Sequence, residues 1–321
     1  MVTVAGIEQD AYRALVEGCA LVDRSKRGKL ALTGGEAKDF LHGQVTNDIA
    51  GLQPGGGCYA AFLTHKGKMI GDLRVLDAGD ELLLDCERAV LQDLFNMIRR
   101  YKLGRDVELH KRTVERGLLS LVGPGARAVA GLPEPAAQEH SHRAGEVGGA
   151  PVRLIATDLG VDVLCDAADT ARVTAALTGA GAVLVDEAAA EVRRVESGRP
   201  RYGIDLDDSV IPQEAGLNER AVSFTKGCYV GQETVARLYY RGKPNRHLRG
   251  LRLSAPAPSG AVLRLGDREV GRLGSVAASP AFGPIALALV RREAEPGSTL
   301  AVGDDGGGTT AVVVALPFTQ A

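Results

Sequence analysis

The run Lys226-Gly227-Cys228-Tyr229-Val230-Gly231-Gln232-Glu233 sets one thiol between a cation and a glycine-relieved turn, just ahead of a helix start. A thiol reacts as its thiolate, and both a nearby ammonium and the partial positive charge of a helix N-terminus favour that form. Such a cysteine is suited to handling sulfur, iron or an electrophile; the plainer reading is a small apolar side chain buried in a turn. Gly227 and Gly231 permit backbone conformations closed to residues with a Cβ. Gln232 and Glu233 fall in the first helical turn, where a carboxylate suits the dipole or caps the helix.

With Arg237 after it and Pro212-Gln213-Glu214 before it, this segment resembles the signature of the YgfZ family. Its members are folate-binding proteins of iron-sulfur cluster maintenance, relatives of the glycine cleavage T-protein, an aminomethyltransferase. Other stretches agree in order: Gly43-Gln44-Val45-Thr46-Asn47-Asp48, Lys66-Gly67-Lys68-Met69, Arg201-Tyr202-Gly203-Ile204-Asp205 and Ile285-Ala286-Leu287-Ala288-Leu289-Val290. The resemblance spans nearly the whole chain. It implies a duplicated folate-binding α+β body with a C-terminal β-barrel, tetrahydrofolate or a derivative as cofactor, and iron-sulfur client proteins as partners. The T-protein has no cysteine in the matching loop, so Cys228 points away from simple aminomethyl transfer.

The resemblance also implies ligand-binding residues. A pterin ring offers an amide N–H beside an exocyclic amine, which a carboxylate can grip through two hydrogen bonds. Asp162, in Gly160-Val161-Asp162-Val163-Leu164, stands where the T-protein strand has a glutamate, and its shorter side chain changes the reach. Asp72 falls on the second of two aspartates in a T-protein turn, the one used in catalysis, and Gly71 replaces the first. A carboxylate there could stabilise a cationic one-carbon intermediate or orient a folate nitrogen. Asn47 and Tyr59 would line the same cavity, Tyr59 by covering the aminobenzoyl ring. Lys226 and Arg237 are the candidate cations for an anionic folate. Arg237 opens a basic cluster with Arg241, Lys243, Arg246 and Arg249, which could equally meet polyglutamate, RNA or an acidic protein, or form a solvated linker face.

Composition narrows the field. The chain has 321 residues, 45% of them hydrophobic, enough for a sizeable core in two or three structural units. A net charge of -2 supplies no overall attraction to nucleic acid or an anionic membrane. Apolar runs such as Ala311 to Leu316 fall far short of the ~18 residues of a membrane span. The first ten residues lack the basic start and apolar stretch of a secretory leader, which predicts a cytoplasmic protein. Cys19, Cys58, Cys86, Cys165 and Cys228 form no Cys-x-x-Cys pair and the histidines show no ligand spacing, so neither a disulfide framework nor a protein-only metal site is expected. No glycine-rich nucleotide fingerprint is present.

The elements that must position these residues are legible from periodicity. Helical spacing marks residues 9–20, 35–41 and 87–101. Short apolar runs at 59–63, 73–76 and 82–84 read as antiparallel strands, and a second set of strands at 118–122, 152–156 and 161–165 precedes a helix over 170–179. Strands followed by a helix, twice, predict an α+β body over 1–244 in two units, roughly 1–110 and 111–244. Between them, 131–149 reads as a surface loop. Beyond Pro244, glycine-punctuated strands at 248–253, 261–265, 269–273, 285–290 and 310–316 predict a small barrel over 245–321.

The leading reading is a tetrahydrofolate-binding protein that supports iron-sulfur cluster assembly or repair through Cys228. The alternative is a folate-dependent aminomethyltransferase using Asp72. A third is a module holding RNA or protein through its barrel and basic linker. The sequence does not decide whether the protein turns over a substrate.

Overall fold

The computed structural model describes residues 9–132, 138–303 and 308–319. The expectation drawn from residues 1–8, and the part of the 131–149 loop at 133–137, lie outside them. The chain opens with α1 (Gln9–Glu17), β1 (Ala20–Asp23), β2 (Gly28–Thr33), α2 (Ala37–Gln44), β3 (Gly57–Leu63), β4 (Met69–Asp77), β5 (Leu82–Cys86), α3 (Leu91–Tyr101) and β6 (Glu108–Lys111). It continues through β7 (Arg116–Val122), α4 (Ala126–Val129), β8 (His142–Val147), β9 (Ala150–Thr157), β10 (Gly160–Asp166), α5 (Thr170–Gly179), β11 (Val183–Leu184), α6 (Glu187–Glu196), α7 (Asn218–Ala221) and α8 (Gln232–Arg241). The last strands are β12 (Arg246–Leu253), β13 (Val262–Leu265), β14 (Arg268–Ser279), β15 (Gly283–Arg291), β16 (Thr299–Val302) and β17 (Thr310–Val314).

Two sheets form the body. One has the order β3-β4-β5-β2-β6 and the other β11-β1-β7-β10-β9-β8. Although β1 comes first in sequence, it pairs with β7 and so joins the second sheet. Side chains alternate across a strand. On one face of the first sheet, Leu30, Leu32, Leu73, Val75 and Leu84 bury against Phe40 and Leu41 of α2 and Leu94 and Ile98 of α3. On one face of the second, Leu119, Leu121, Val161 and Val163 bury against Val173 and Leu177 of α5.

The opposite faces meet. Ala31, Leu76 and Leu83 of the first sheet join Ile155 and Leu164 of the second in a small apolar contact. The same period of two that aims Leu73 and Val75 at the helices aims Asp72, Arg74 and Leu76 at the space between the sheets. The sheets therefore touch through hydrocarbon near Leu76 and enclose polar groups near Asp72.

The third unit is a closed barrel of order β12-β15-β14-β13-β16-β17. Helix α6 couples it to the body: Val192 and Val195 pack with Leu248, Ile285, Leu287 and Phe318. Below that contact, Asp205 accepts from the Ser275 backbone N–H at 2.7 Å and lies 3.0 Å from Arg194 Nη1. The Arg201-to-Asp205 stretch is thus the joint between body and barrel. Among the described residues, no helix is long and apolar enough to cross a membrane.

Two stretches depart from the sequence expectation: the helix read over 9–20 ends at Glu17, with β1 beginning at Ala20, and the loop read over 131–149 contains a strand. Residues 142–147, read as loop, form β8, paired with β9 at the edge of the second sheet. Arg143, Ala144, Gly145 and Glu146 are all exposed, so the strand carries no apolar alternation by which to announce itself.

Candidate functional site

The polar end of the inter-sheet space is a cavity of about 210 Å3, lined from both sheets, from α6 and from the Arg199–Tyr202 segment. The register of β3 against β4 explains its first wall. Tyr59 lies opposite Arg74 and Ala61 opposite Asp72, so Tyr59, Arg74 and Asp72 share one face. The Tyr59 hydroxyl donates to Asp72 Oδ2. Burial pushes the Asp72 carboxyl up to about 6, with the Tyr59 bond opposing the rise and Glu87 adding to it. Burial, then the neighbouring Asp72 charge, hold the Tyr59 phenol well above its ordinary range.

Arg74 spans the cavity. Its Nη2 lies 3.1 Å from Asp85 on the neighbouring strand and its Nη1 2.7 Å from Asp162 on β10 of the facing sheet. Asp162 also accepts from Ser120 Oγ at 2.6 Å, its cross-strand partner on β7. Both oxygens of the predicted pterin-gripping carboxylate are therefore engaged within the protein. Arg27 adds a second guanidinium, 2.9 Å from Asp85 and bonded to Glu87.

Four donors or acceptors on the wall lack a hydrogen-bond partner although buried: Arg74 Nε, Arg201 Nε, Arg220 Nε and His140 Nδ1. An unpaired buried polar group is costly, and these nitrogens are themselves sealed from solvent, so they are a cost of closing this polar wall around its arginines. Periodicity gave no sign of His140. Its φ of 69° is the only positive value at a non-glycine among the described residues, and burial, with Arg74 and Arg220 nearby, pulls its imidazole down to about 3. A left-handed histidine on a cavity wall is strain of the kind that gathers at functional sites.

The predicted residues outside the cavity wall connect to it in stages. The Lys226 ammonium donates to the carbonyls of His42, Val45 and Asn47, at 2.8 Å and 2.9 Å for the last two, and so caps the C-terminal end of α2. Burial pulls that lysine down to about 8. The Asn47 amide in turn donates to the carbonyl of Tyr59 at 2.9 Å and that of Arg220 at 3.3 Å. Lys226, Asn47, Tyr59 and Asp72 thus form one bonded chain from the cysteine loop to the cavity. Arg237 stands apart: it is exposed, 3.8 Å from Glu233 on the same helix, and does not line the cavity.

Cys228 is exposed, whereas Cys19, Cys86 and Cys165 are buried and Cys58 half-buried. Burial pushes Cys19 up to about 11 and Cys58 and Cys86 up to about 12, so these thiols stay protonated at neutral pH. The loop carrying Cys228 is fixed at both ends. Lys226 anchors one side, and Gly231 the other with a left-handed φ of 84°, where a Cβ would lie 2.5 Å from the Thr64 carbonyl oxygen and 3.2 Å from Gly67 Cα. Two motifs far apart in sequence, around Gly67 and Gly231, thus meet at a contact only glycines allow.

The comparisons with known proteins match this architecture. A family model described as the GCVT N-terminal domain matches residues 3–226, and one described as the glycine cleavage T-protein C-terminal barrel domain matches 246–320. The chain belongs to the glycine cleavage T-protein family. An aminomethyltransferase of Thermotoga petrophila is 32% identical to this family member over 347 residues, covering 99% of the chain and 93% of the relative. A chloroplastic protein of Arabidopsis thaliana with a provisional transferase name is 28% identical, covering 97% of the chain and 74% of the relative. The crystal structure of glycine cleavage system aminomethyltransferase T from Bartonella henselae superposes with a TM-score of 0.85 at 23% identity, over 97% of this chain and 89% of that one. This family member has the aminomethyltransferase-like fold throughout, with the closed six-stranded barrel at its C-terminus.

Proposed function

We propose that the protein binds tetrahydrofolate or a derivative in the cavity between the sheets and supports iron-sulfur cluster assembly or repair through Cys228, as the resemblance to the YgfZ family implies. The observation that carries this reading is the bonded chain from the cysteine loop to the cavity. Lys226, which holds the exposed thiol's loop, is bound to Asn47, whose amide holds the strand that presents Tyr59 to Asp72. A loop this constrained that ends in one exposed thiol is suited to presenting a nucleophile or a metal ligand to another protein.

The residues present suit a pterin. Arg74, Arg201, Arg220 and His140 line the cavity together with Tyr59 and Asp72, a wall rich in hydrogen-bonding groups. A volume of about 210 Å3 lies below the ~300–1,000 Å3 of drug-sized ligand sites, which suits the bicyclic head with the tail outside. Because Asp162 is engaged by Arg74 and Ser120, its part is to position Arg74, and Asp72 is the carboxylate left to face the ligand. When bound, the folate supplies nitrogens that carry a one-carbon unit. Asp72 and Tyr59 hold a proton between them beside that position.

The test is genetic. In a strain that depends on this protein, Cys228→Ala should depress iron-sulfur enzyme activities while leaving folate binding intact. Full rescue by that variant would overturn the thiol's role.

A second reading, folate-dependent aminomethyl transfer, is favoured by the placement of Asp72: buried, on the cavity wall and poised near about 6. It requires folate-dependent turnover of an aminomethyl donor that collapses in Asp72→Asn and survives Cys228→Ala.

A further inference from the structure

The chain has no tryptophan and only thirteen phenylalanines and tyrosines, seven of them tyrosine. Three of these rings gather where the segment leading to Cys228 meets α8. Phe224, four residues before the cysteine, stacks on Tyr239 of α8 with centroids 3.8 Å apart and planes 16° from parallel. Tyr240 closes the cluster edge-on, 5.0 Å from Tyr239 and 6.5 Å from Phe224. Phe224 is rooted in the apolar cluster that also holds Tyr229 and Val235. Tyr240 is nonetheless 67% exposed, Tyr239 47% and Val230 38%.

Exposed aromatics cost solvation and are enriched, together with arginine, at protein interfaces. The charge around them has one sign in excess. Arg237, Arg241 and Lys243 are all exposed, and Glu233, paired with Arg237 at 3.8 Å, is the nearby carboxylate on the same helix. Two other members of the basic run are taken up elsewhere: Arg246 lies 2.9 Å from Glu214, and Arg249 is half-buried. The cations that remain flank the rings.

We infer that Phe224, Val230, Tyr239 and Tyr240, with Arg237 and Arg241, form a docking surface for a protein segment that carries carboxylates beside an aliphatic or aromatic side chain, and that it delivers that segment to Cys228. Phe224 and Tyr239 are already stacked on each other and Tyr240 meets both edge-on, so no gap between rings is left for a nucleobase to enter, whereas apolar side chains can cover the exposed ring surface. The surrounding cations match the segment's carboxylates. This inference rests on the proposed role of Cys228 toward a client protein and names the chemistry of that client's contact.

The experiment uses the full-length protein and two synthetic peptides, one of alternating glutamate and leucine and one of alternating lysine and leucine, each bearing the same activated aryl disulfide. The Cys228 thiolate attacks the peptide sulfur, a mixed disulfide forms and the aryl thiolate leaves, so its colour reports the rate. The acidic peptide should react about tenfold faster than the basic one. That preference should vanish in the Tyr240→Ser/Arg241→Glu variant, whose reaction with a small neutral aryl disulfide stays at the parent rate. Equal rates for the two peptides would overturn the docking surface while leaving the thiol's role standing. Preferential binding of oligouridylate at this surface, or a dimer in sedimentation that Tyr240→Ser dissolves, would overturn it in favour of another occupant. Labelled acidic peptide binding to Cys228→Ala protein that rescues the dependent strain would instead keep the surface and sink the thiol's role.

Discussion

Arg74 Nη1 lies 2.7 Å from Asp162 Oδ2, an ion pair between two different sheets at the wall of the cavity. Both side chains are buried, and Ser120 and Asp85 take up part of the remaining bonding capacity. Removing one partner of a buried pair strands the other charge, at a cost of about 3–5 kcal/mol. Asp162→Ala should therefore lower the urea-unfolding free energy by that amount. An apolar pair, Arg74→Met with Asp162→Leu, should recover most of it. A loss under about 0.5 kcal/mol in Asp162→Ala, the range of an ordinary surface change, would show that the pair does not hold the sheets together.

Asp72 gives the stability a specific pH dependence. Its carboxyl is raised from 3.8 to about 6 in the folded protein, mainly by burial. Between those values the folded state binds more protons than the unfolded one, so stability falls as pH rises through the window and the loss is complete above it. Below it, both states are protonated and the group contributes nothing. Asp72→Asn should match the parent near pH ~4 and exceed it by about 2–3 kcal/mol near pH ~8. Thermal melts of both proteins across this range would reveal the divergence; parallel curves would mean that the carboxylate is solvated.

The cysteines should separate cleanly by accessibility. Brief treatment of native protein with iodoacetamide at neutral pH should label Cys228 alone, because the other four thiols are buried or half-buried and burial keeps them protonated. After denaturation all five should react. Mass spectrometry of the digests distinguishes the two states, and native labelling of Cys58, which packs on the helix-covered face of β3, would show that face to be open.

How much of this could be read from residues alone depended on what each residue does. Three strands of the first sheet, β3, β4 and β5, and five of the six barrel strands were legible because one face is apolar and alternates, as at Leu73 and Val75, whereas β2, β6 and β16 were not read. β8 was not, since an exposed edge strand has no such face. Among the site residues, Asn47, Tyr59, Asp72 and Lys226 are joined in one chain of bonds; short local motifs singled out the residues but not that arrangement. The engagement of Asp162 was hidden because its partners, Arg74 and Ser120, come from distant strands. His140 was hidden too: its significance lies in a backbone angle and an unpartnered nitrogen, and neither leaves a mark on the sequence. Arg237 was drawn in by its place after the cysteine motif, although the turn of α8 points it into solvent.

The central claim is that the space between the sheets holds a folate whose polar contact is Asp72, and that the thiol loop, tied to that space only through Lys226 and Asn47, serves another purpose. Calorimetric titration of the purified protein with tetrahydrofolate tests it most directly. The account predicts saturable binding at one site per chain, weakened at least tenfold in Asp72→Ala, a loss of about 1.4 kcal/mol, and unchanged in Cys228→Ala. Absence of heat with the parent protein, or equal affinity with and without the Asp72 carboxylate, would contradict it.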